Sequence, residues 1–142
     1  VRRLGHTPRI AFLSNASFGH PHGEQSQSAR RAVELLDERG ADFEYEGEMP
    51  PDVALDRALW ESYQFQRLSE PANVLIMPAV HSAAISTKLV QALGEVSVVG
   101  PILVGLSRPV QICGLGDSVS RILTMATIAA FEAQSIGALA SA

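Results

Sequence analysis

Of the eleven basic and fifteen acidic side chains in this chain, only six lie beyond residue 72: Lys88, Glu95, Arg108, Asp117, Arg121 and Glu132. A stretch so poor in charge has to be covered, either at the centre of this fold, or against another subunit, or against a further piece of a longer protein. The requirement is sharpest from Ser118 to about Gly137, a helical pattern with Ile122, Leu123, Met125, Ile128, Ala129 and Phe131 spread around it. A helix apolar on all sides must be buried on all sides. The rest of the chain is ordinary: 142 residues, 46% apolar and 18% charged, are one globular domain's worth, long enough for a core without disulfides or metal. A single cysteine, Cys113, excludes an internal disulfide framework and fits a reducing compartment. The net charge of -4 argues against nucleic-acid or anionic-membrane partners. Neither a membrane span nor a secretory leader is readable, so the expected location is the cytoplasm.

Apolar runs alternate with helical patterns along the chain. Residues 9–14 suit a strand covered on both faces, followed by a polar loop over Asn15–Ser28 of functional length and a helix over Ala29–Gly40 capped by Gly40. Residues 42–48 alternate polar and aromatic side chains, which predicts an edge strand with one wet face. A short helix is expected over 52–63, a buried strand over 73–78 and a helix over 82–93. Short strands over 96–99, 102–106 and 109–113 then lead to the apolar helix. Val1–Gly5 reads as the tail of a helix stopped by Gly5, so the chain is read as part of something longer. This order predicts an α/β fold with a mainly parallel sheet, whose ligands sit at the carboxyl ends of the strands. The loops at 15–28, 79–88 and 114–118 are therefore the candidate site.

His20, His22 and Glu24 are metal-ligating types, but their spacing across Pro21 matches no strong zinc pattern, and a solvated loop is the reading adopted. No metal site is assigned. His81 and Ser82, at a strand end, can bond a ligand or cap a turn. Cys113 on an apolar strand reads as core rather than as a nucleophile. Gly114 and Gly116, before a helix, can present backbone N–H groups to an anion or make a plain tight turn, with Asp117 or Ser118 as helix cap. Lys88, the only lysine, either snorkels or reaches a phosphate or carboxylate in a cleft.

Several stretches together resemble the phosphate acetyltransferase family: Leu4-Gly5 through Pro8–Ser14, Gly47-Glu48 with Asp52-Val53-Ala54, residues 71–78, Lys88, Gly100–Leu106 and Pro109-Val110. The branch most similar is the phosphotransacetylase-like domain that ends the large bacterial NADP-dependent malic enzymes. The likeness to it lies in Leu36–Gly40, Phe43–Met49 and, most specifically, His81-Ser82-Ala83-Ala84-Ile85-Ser86-Thr87-Lys88. The resemblance implies a layered α/β/α fold of the isocitrate/isopropylmalate dehydrogenase-like type, present in part. Residues 1–108 would form most of a second subdomain, and residues 109–142 would return to the first.

The departures from the active acetyltransferases carry the functional expectation. Where that family places adjacent serine and arginine, this chain has Gly114 and Leu115. Its aspartate is matched by Arg121, and its asparagine-rich loop by Val80–Ala84. Loss of a general base costs typically about 10²–10⁴ in rate, so no catalytic residue is assigned. A pocket can outlive its chemistry. The resemblance implies a noncatalytic regulatory domain that binds acetyl-CoA as effector, with His81, Ser82, Lys88, Pro101, Gly114 and Gly116 as candidate contacts. NADP and a divalent metal would belong to an upstream malic-enzyme region, and a homo-oligomer would cover the apolar helix. The alternatives are an active phosphate acyltransferase and a purely structural oligomerisation module.

Overall fold

The computed structural model describes residues 1–20 and 24–140, with the side chains of 24–26 and 135–140 left aside. His22, and with it the His20–Glu24 grouping, lies outside the described residues. The chain divides into two compact units, Val1–Ser86 and Thr87–Ala142.

The first unit holds a parallel sheet of order β2-β1-β3, built from β1 (Arg9–Leu13), β2 (Glu44–Met49) and β3 (Val74–Ile76). Helix α1 (Glu24–Arg39) joins β1 to β2 and packs on both. It begins nearer β1 than its apolar spacing indicates, because its first turns are polar and leave no hydrophobic period to read. Its end is as expected. Gly40, at φ +60°, lets its own N–H reach the Asp37 carbonyl (3.2 Å) and the Ala41 N–H reach the Leu36 carbonyl (3.2 Å). That pair of bonds is a Schellman cap, satisfying carbonyls the helix leaves unpaired.

The segment expected as one helix over 52–63 is broken in two. Helix α2 (Pro51–Leu55) ends at Asp56, whose carboxylate accepts the Ala58 N–H (2.9 Å) and starts a separate 3₁₀ turn over Arg57–Ser62. An aspartate that bonds the backbone two residues on competes with helix continuation. Ala11 and Leu13 of β1 form the core with Met49, Val53, Ala54, Leu68 and Ala72, against which Phe18, Trp60, Tyr63 and Met77 pack.

β2 lies at the sheet edge, as its pattern indicates, but its acidic residues are the covered ones. Glu46 and Glu48 are buried while Tyr45 is only half-buried. For Glu46 the reason is polar satisfaction: it accepts the Arg67 backbone N–H (3.1 Å), as the half-buried Glu44 beside it accepts the Ser69 N–H (2.8 Å) and hydroxyl. Burying such a group is costly unless it is bonded in this way.

In the second unit none of the described residues over 96–99, 102–106 and 109–113 is in a strand. A ladder needs a neighbour for its N–H and C=O groups. Here one side chain substitutes: Gln111 accepts the Leu103 N–H (3.2 Å), donates to the Leu103 carbonyl (3.4 Å), and donates to Glu132 (3.0 Å). Helix α4 (Val119–Ala140) is not covered on all sides either. Met125 and Glu132 are buried, but Val119, Leu123 and Phe131 are exposed. Cys113, expected in the core, is exposed for the same reason: the strand that would bury it has no ladder.

Candidate functional site

Strand order β2-β1-β3 sends the chain from β1 to one side and then across to the other, so the topological switch lies between β1 and β3. Ligands of open α/β sheets bind at the carboxyl ends there. The loop after β1 and the turn from β3 into α3 (Val80–Leu93) are therefore neighbours at the ligand end of the first unit.

The loop after β1 is folded onto β2. Ser14 N–H donates to the Met49 carbonyl (3.0 Å) and Phe18 N–H to the Glu48 carbonyl (2.9 Å). Ser17 and His20 exchange backbone bonds (2.8 and 3.1 Å) around Phe18 and Gly19, whose φ values of +46° and +99° make the primed turn that favours glycine. The Phe18 ring packs on Phe65 (4.8 Å between centroids) and Tyr63 (5.4 Å), fixing the turn's outer face.

Beneath this turn lies Glu48, fully buried. Its Oε1 accepts the Gly19 N–H (3.0 Å) and lies 3.6 Å from Arg30 Nε on α1, while Oε2 has no hydrogen-bond partner among the described residues. Sequence reasoning placed Gly19 in the candidate loop over 15–28 but did not place Arg30 or Glu48 in the site. No local spacing links Gly19, Arg30 and Glu48; the parallel register of β1 and β2 brings them together. The available signal was a glutamate next to the buried end of β2.

At the other side of the switch, Ser82 Oγ accepts the Ala79 N–H (3.2 Å) and donates to the Ala79 carbonyl (2.7 Å), which is the turn-capping role. His81 is exposed at the start of α3. Lys88, also exposed, belongs to the second unit.

Pro101, Gly114 and Gly116 belong to the second unit, where they are exposed and where Arg121 draws their segments together. Gly114 N–H donates to Asp117 Oδ2 (2.7 Å), which also meets Arg121 Nε (3.2 Å). A further guanidinium N–H of Arg121 donates to the Gly100 carbonyl, beside Pro101. Ser118 Oγ caps α4 by accepting the Arg121 N–H (3.3 Å), so Asp117 closes the turn and Ser118 caps the helix. The Gly114 N–H, expected to be available to an anion, and the charge of Arg121 are thus both engaged by Asp117. Among the described residues no cluster of three or more metal-ligating side chains occurs, and no helix is long and apolar enough to cross a membrane.

A cavity of ≈ 320 Å³ lined by Arg2, His6, Thr7, Pro8, Asp42 and Phe43 lies at the opposite, amino end of the strands. Arg2 is spent there on Asp42 (2.9 Å), whose carboxyl it holds below the usual range.

Comparison with known proteins agrees with this architecture. The chain is 53% identical over 133 residues to an NADP-dependent malic enzyme of Rhizobium meliloti (strain 1021), covering 94% of this chain but 18% of that protein's length. It is 32% identical over 136 residues to the phosphate acetyltransferase of Acetivibrio thermocellus, covering 95% and 41% of the two chains. The EutD phosphotransacetylase from Staphylococcus aureus superposes with a TM-score of 0.84 at 27% identity, covering 93% of this chain and 42% of its own. The family model for phosphate acetyl/butaryl transferases matches residues 1–130. With this match along nearly all of its length and the parallel α/β fold of the phosphotransacetylases, the chain belongs to the phosphate acetyl/butaryl transferase family.

Proposed function

We propose that this chain is the phosphotransacetylase-like regulatory domain of an NADP-dependent malic enzyme, noncatalytic itself, and that it binds acetyl-CoA as an allosteric effector. The observation that carries the reading is the turn from Gly114 to Arg121. Gly114 and Leu115 stand where the resemblance to active acetyltransferases implies a serine and an arginine; the turn's own carboxylate, Asp117, is engaged by the Gly114 N–H (2.7 Å) and by Arg121 (3.2 Å), and Ser118 caps α4. Without a general base and a free phosphate-steadying charge, acyl transfer loses several powers of ten. The 53% identity to a malic enzyme, over a small share of that protein, supports a domain within a larger oxidoreductase. The dehydrogenase region, with its NADP and divalent metal, lies outside these residues in this reading, and the assembly is a cytoplasmic homo-oligomer. Residues 109–142 are read as the return to a first subdomain.

Regulation of this kind requires acetyl-CoA to prefer one of two states of the assembly. The test is malate oxidation by the full-length protein with and without acetyl-CoA, beside acyl-CoA formation from acetyl phosphate and coenzyme A. A changed malate rate with negligible acyl transfer is expected. Brisk acyl transfer would establish the acyltransferase alternative. Unchanged malate oxidation together with no acetyl-CoA-induced rise in melting temperature would leave the structural oligomerisation module, which the exposed apolar side of α4 favours.

A further inference from the structure

Arg30 and Glu48 are both left incomplete by the fold. The Arg30 side chain is 34% exposed, and its guanidinium makes no hydrogen bond among the described residues; its one charged neighbour, Glu48 Oε1, is 3.6 Å from Nε. Glu48 is fully buried, holds a single backbone N–H, and leaves Oε2 unpartnered. Burying a carboxylate this poorly satisfied is costly, and such groups persist where the site has a use for them. The use is legible in the orientation. Glu48 faces the Nε side of the guanidinium, and Nη1 lies beside Gly19, where a Cβ would come within 3.5 Å of it. The cluster lies at the carboxyl ends of β1 and β2, the end at which sheets of this kind take ligands.

We infer that Arg30 is a phosphate-binding residue oriented by Glu48, and that it receives a phosphate of the nucleotide end of acetyl-CoA; naming that carrier rests on the function proposed above. The planar fork of an arginine matches two phosphate oxygens, and here its donors are uncommitted among the described residues. Glu48 also brings a negative charge, which by itself would repel an anion. The sign of its effect on binding therefore separates an orienting acid from a mere neighbour.

The experiment is calorimetric titration of the full-length protein, wild type and Arg30→Gln, Arg30→Lys and Glu48→Gln, with acetyl-CoA, ADP and acetyl-pantetheine, the last carrying no nucleotide phosphate. Arg30→Gln is expected to weaken acetyl-CoA and ADP about tenfold or more, the loss of one charge-assisted contact. Acetyl-pantetheine binding should be unchanged. Arg30→Lys should recover only part, and the ionic-strength dependence of acetyl-CoA binding should flatten in Arg30→Gln. Glu48→Gln keeps an acceptor for the Gly19 N–H and should still weaken both phosphate ligands. Wild-type affinity in Arg30→Gln, or an equal loss for acetyl-pantetheine, overturns the assignment of Arg30. Tighter binding in Glu48→Gln overturns the orienting role. Wild-type protein that binds ADP but not acetyl-CoA removes the acetyl-CoA reading and keeps the phosphate site. Binding of neither removes both.

Discussion

Gly47 sits where β2 passes closest to β1. A Cβ there would lie 2.7 Å from Phe12 Cβ and 2.8 Å from the Phe12 carbonyl oxygen, so any side chain forces two strands apart. The register slips at the same place, between Phe12 and Leu13, so that Met49 rather than Glu48 stands opposite Leu13. Overpacking of this kind costs about 1–3 kcal/mol, and backbone atoms yield less readily than a flexible side chain. Gly47→Ala is expected to lose about 2 kcal/mol, read as a lower urea midpoint at unchanged slope. An unaltered midpoint would show that the strands can part freely. The same close approach sends the Glu48 side chain beneath the Ser17–His20 turn, linking one glycine to the shape of the candidate site.

The edge of β2 is protected by side chains rather than by another strand. Arg67 stands 5.0 Å from the centre of the Tyr45 ring and pairs with Asp37 (2.8 Å) and Glu46 (3.2 Å), while Ser69 closes on Glu44. Covering an exposed strand edge in this way blocks pairing with other chains. The Tyr45 hydroxyl, and then Arg67, hold the Asp37 carboxyl below the usual range; the Ser69 backbone N–H does so for Glu44. A carboxyl depressed in the folded state contributes stability that is fully present above its unfolded value near 4. That contribution is lost as pH falls through the lower folded value. The melting temperature should therefore be level above about pH 5 and fall below about pH 4, with a shallower fall in Asp37→Asn. Identical acid profiles for the variant and the parent would remove Asp37 from the account.

Across the whole molecule the apolar surface is unevenly distributed. Core residues are concentrated in the first unit, whereas α4 presents Val119, Ile122, Leu123 and Phe131 to solvent, Leu123 at 62% exposure. Surfaces of this kind mark contact with another chain or another part of the same one. The isolated 142-residue chain is expected to self-associate, measured by light scattering, and Leu123→Glu to lower the mean mass. A monomeric parent chain would mean that α4 is covered by its own chain in solution. The alternation of β1, α1, β2, β3 and α3 and the family were readable beforehand, because strand-helix alternation and the quoted stretches are local in sequence. Two features escaped for one reason. The buried acidic side of β2 and the unformed strands over 96–113 both depend on which polar and backbone groups find partners far along the chain, whereas the need of α4 for cover was readable from its composition.

By itself the sequence determined that the chain makes a parallel α/β unit, that Gly40 ends α1 in a left-handed cap, and that Gly114 and Leu115 follow Cys113 at the turn before α4. These are matters of period, conformational freedom and side-chain identity, each legible within a few residues. Only the tertiary structure decided that Glu48 lies beneath Gly19 and beside Arg30, and that Asp117 occupies the donor of Gly114 and the charge of Arg121. Parallel pairing sets the first group of neighbours at long sequence separation. Packing then determines which polar atoms are bonded, a result that residue type and spacing do not specify.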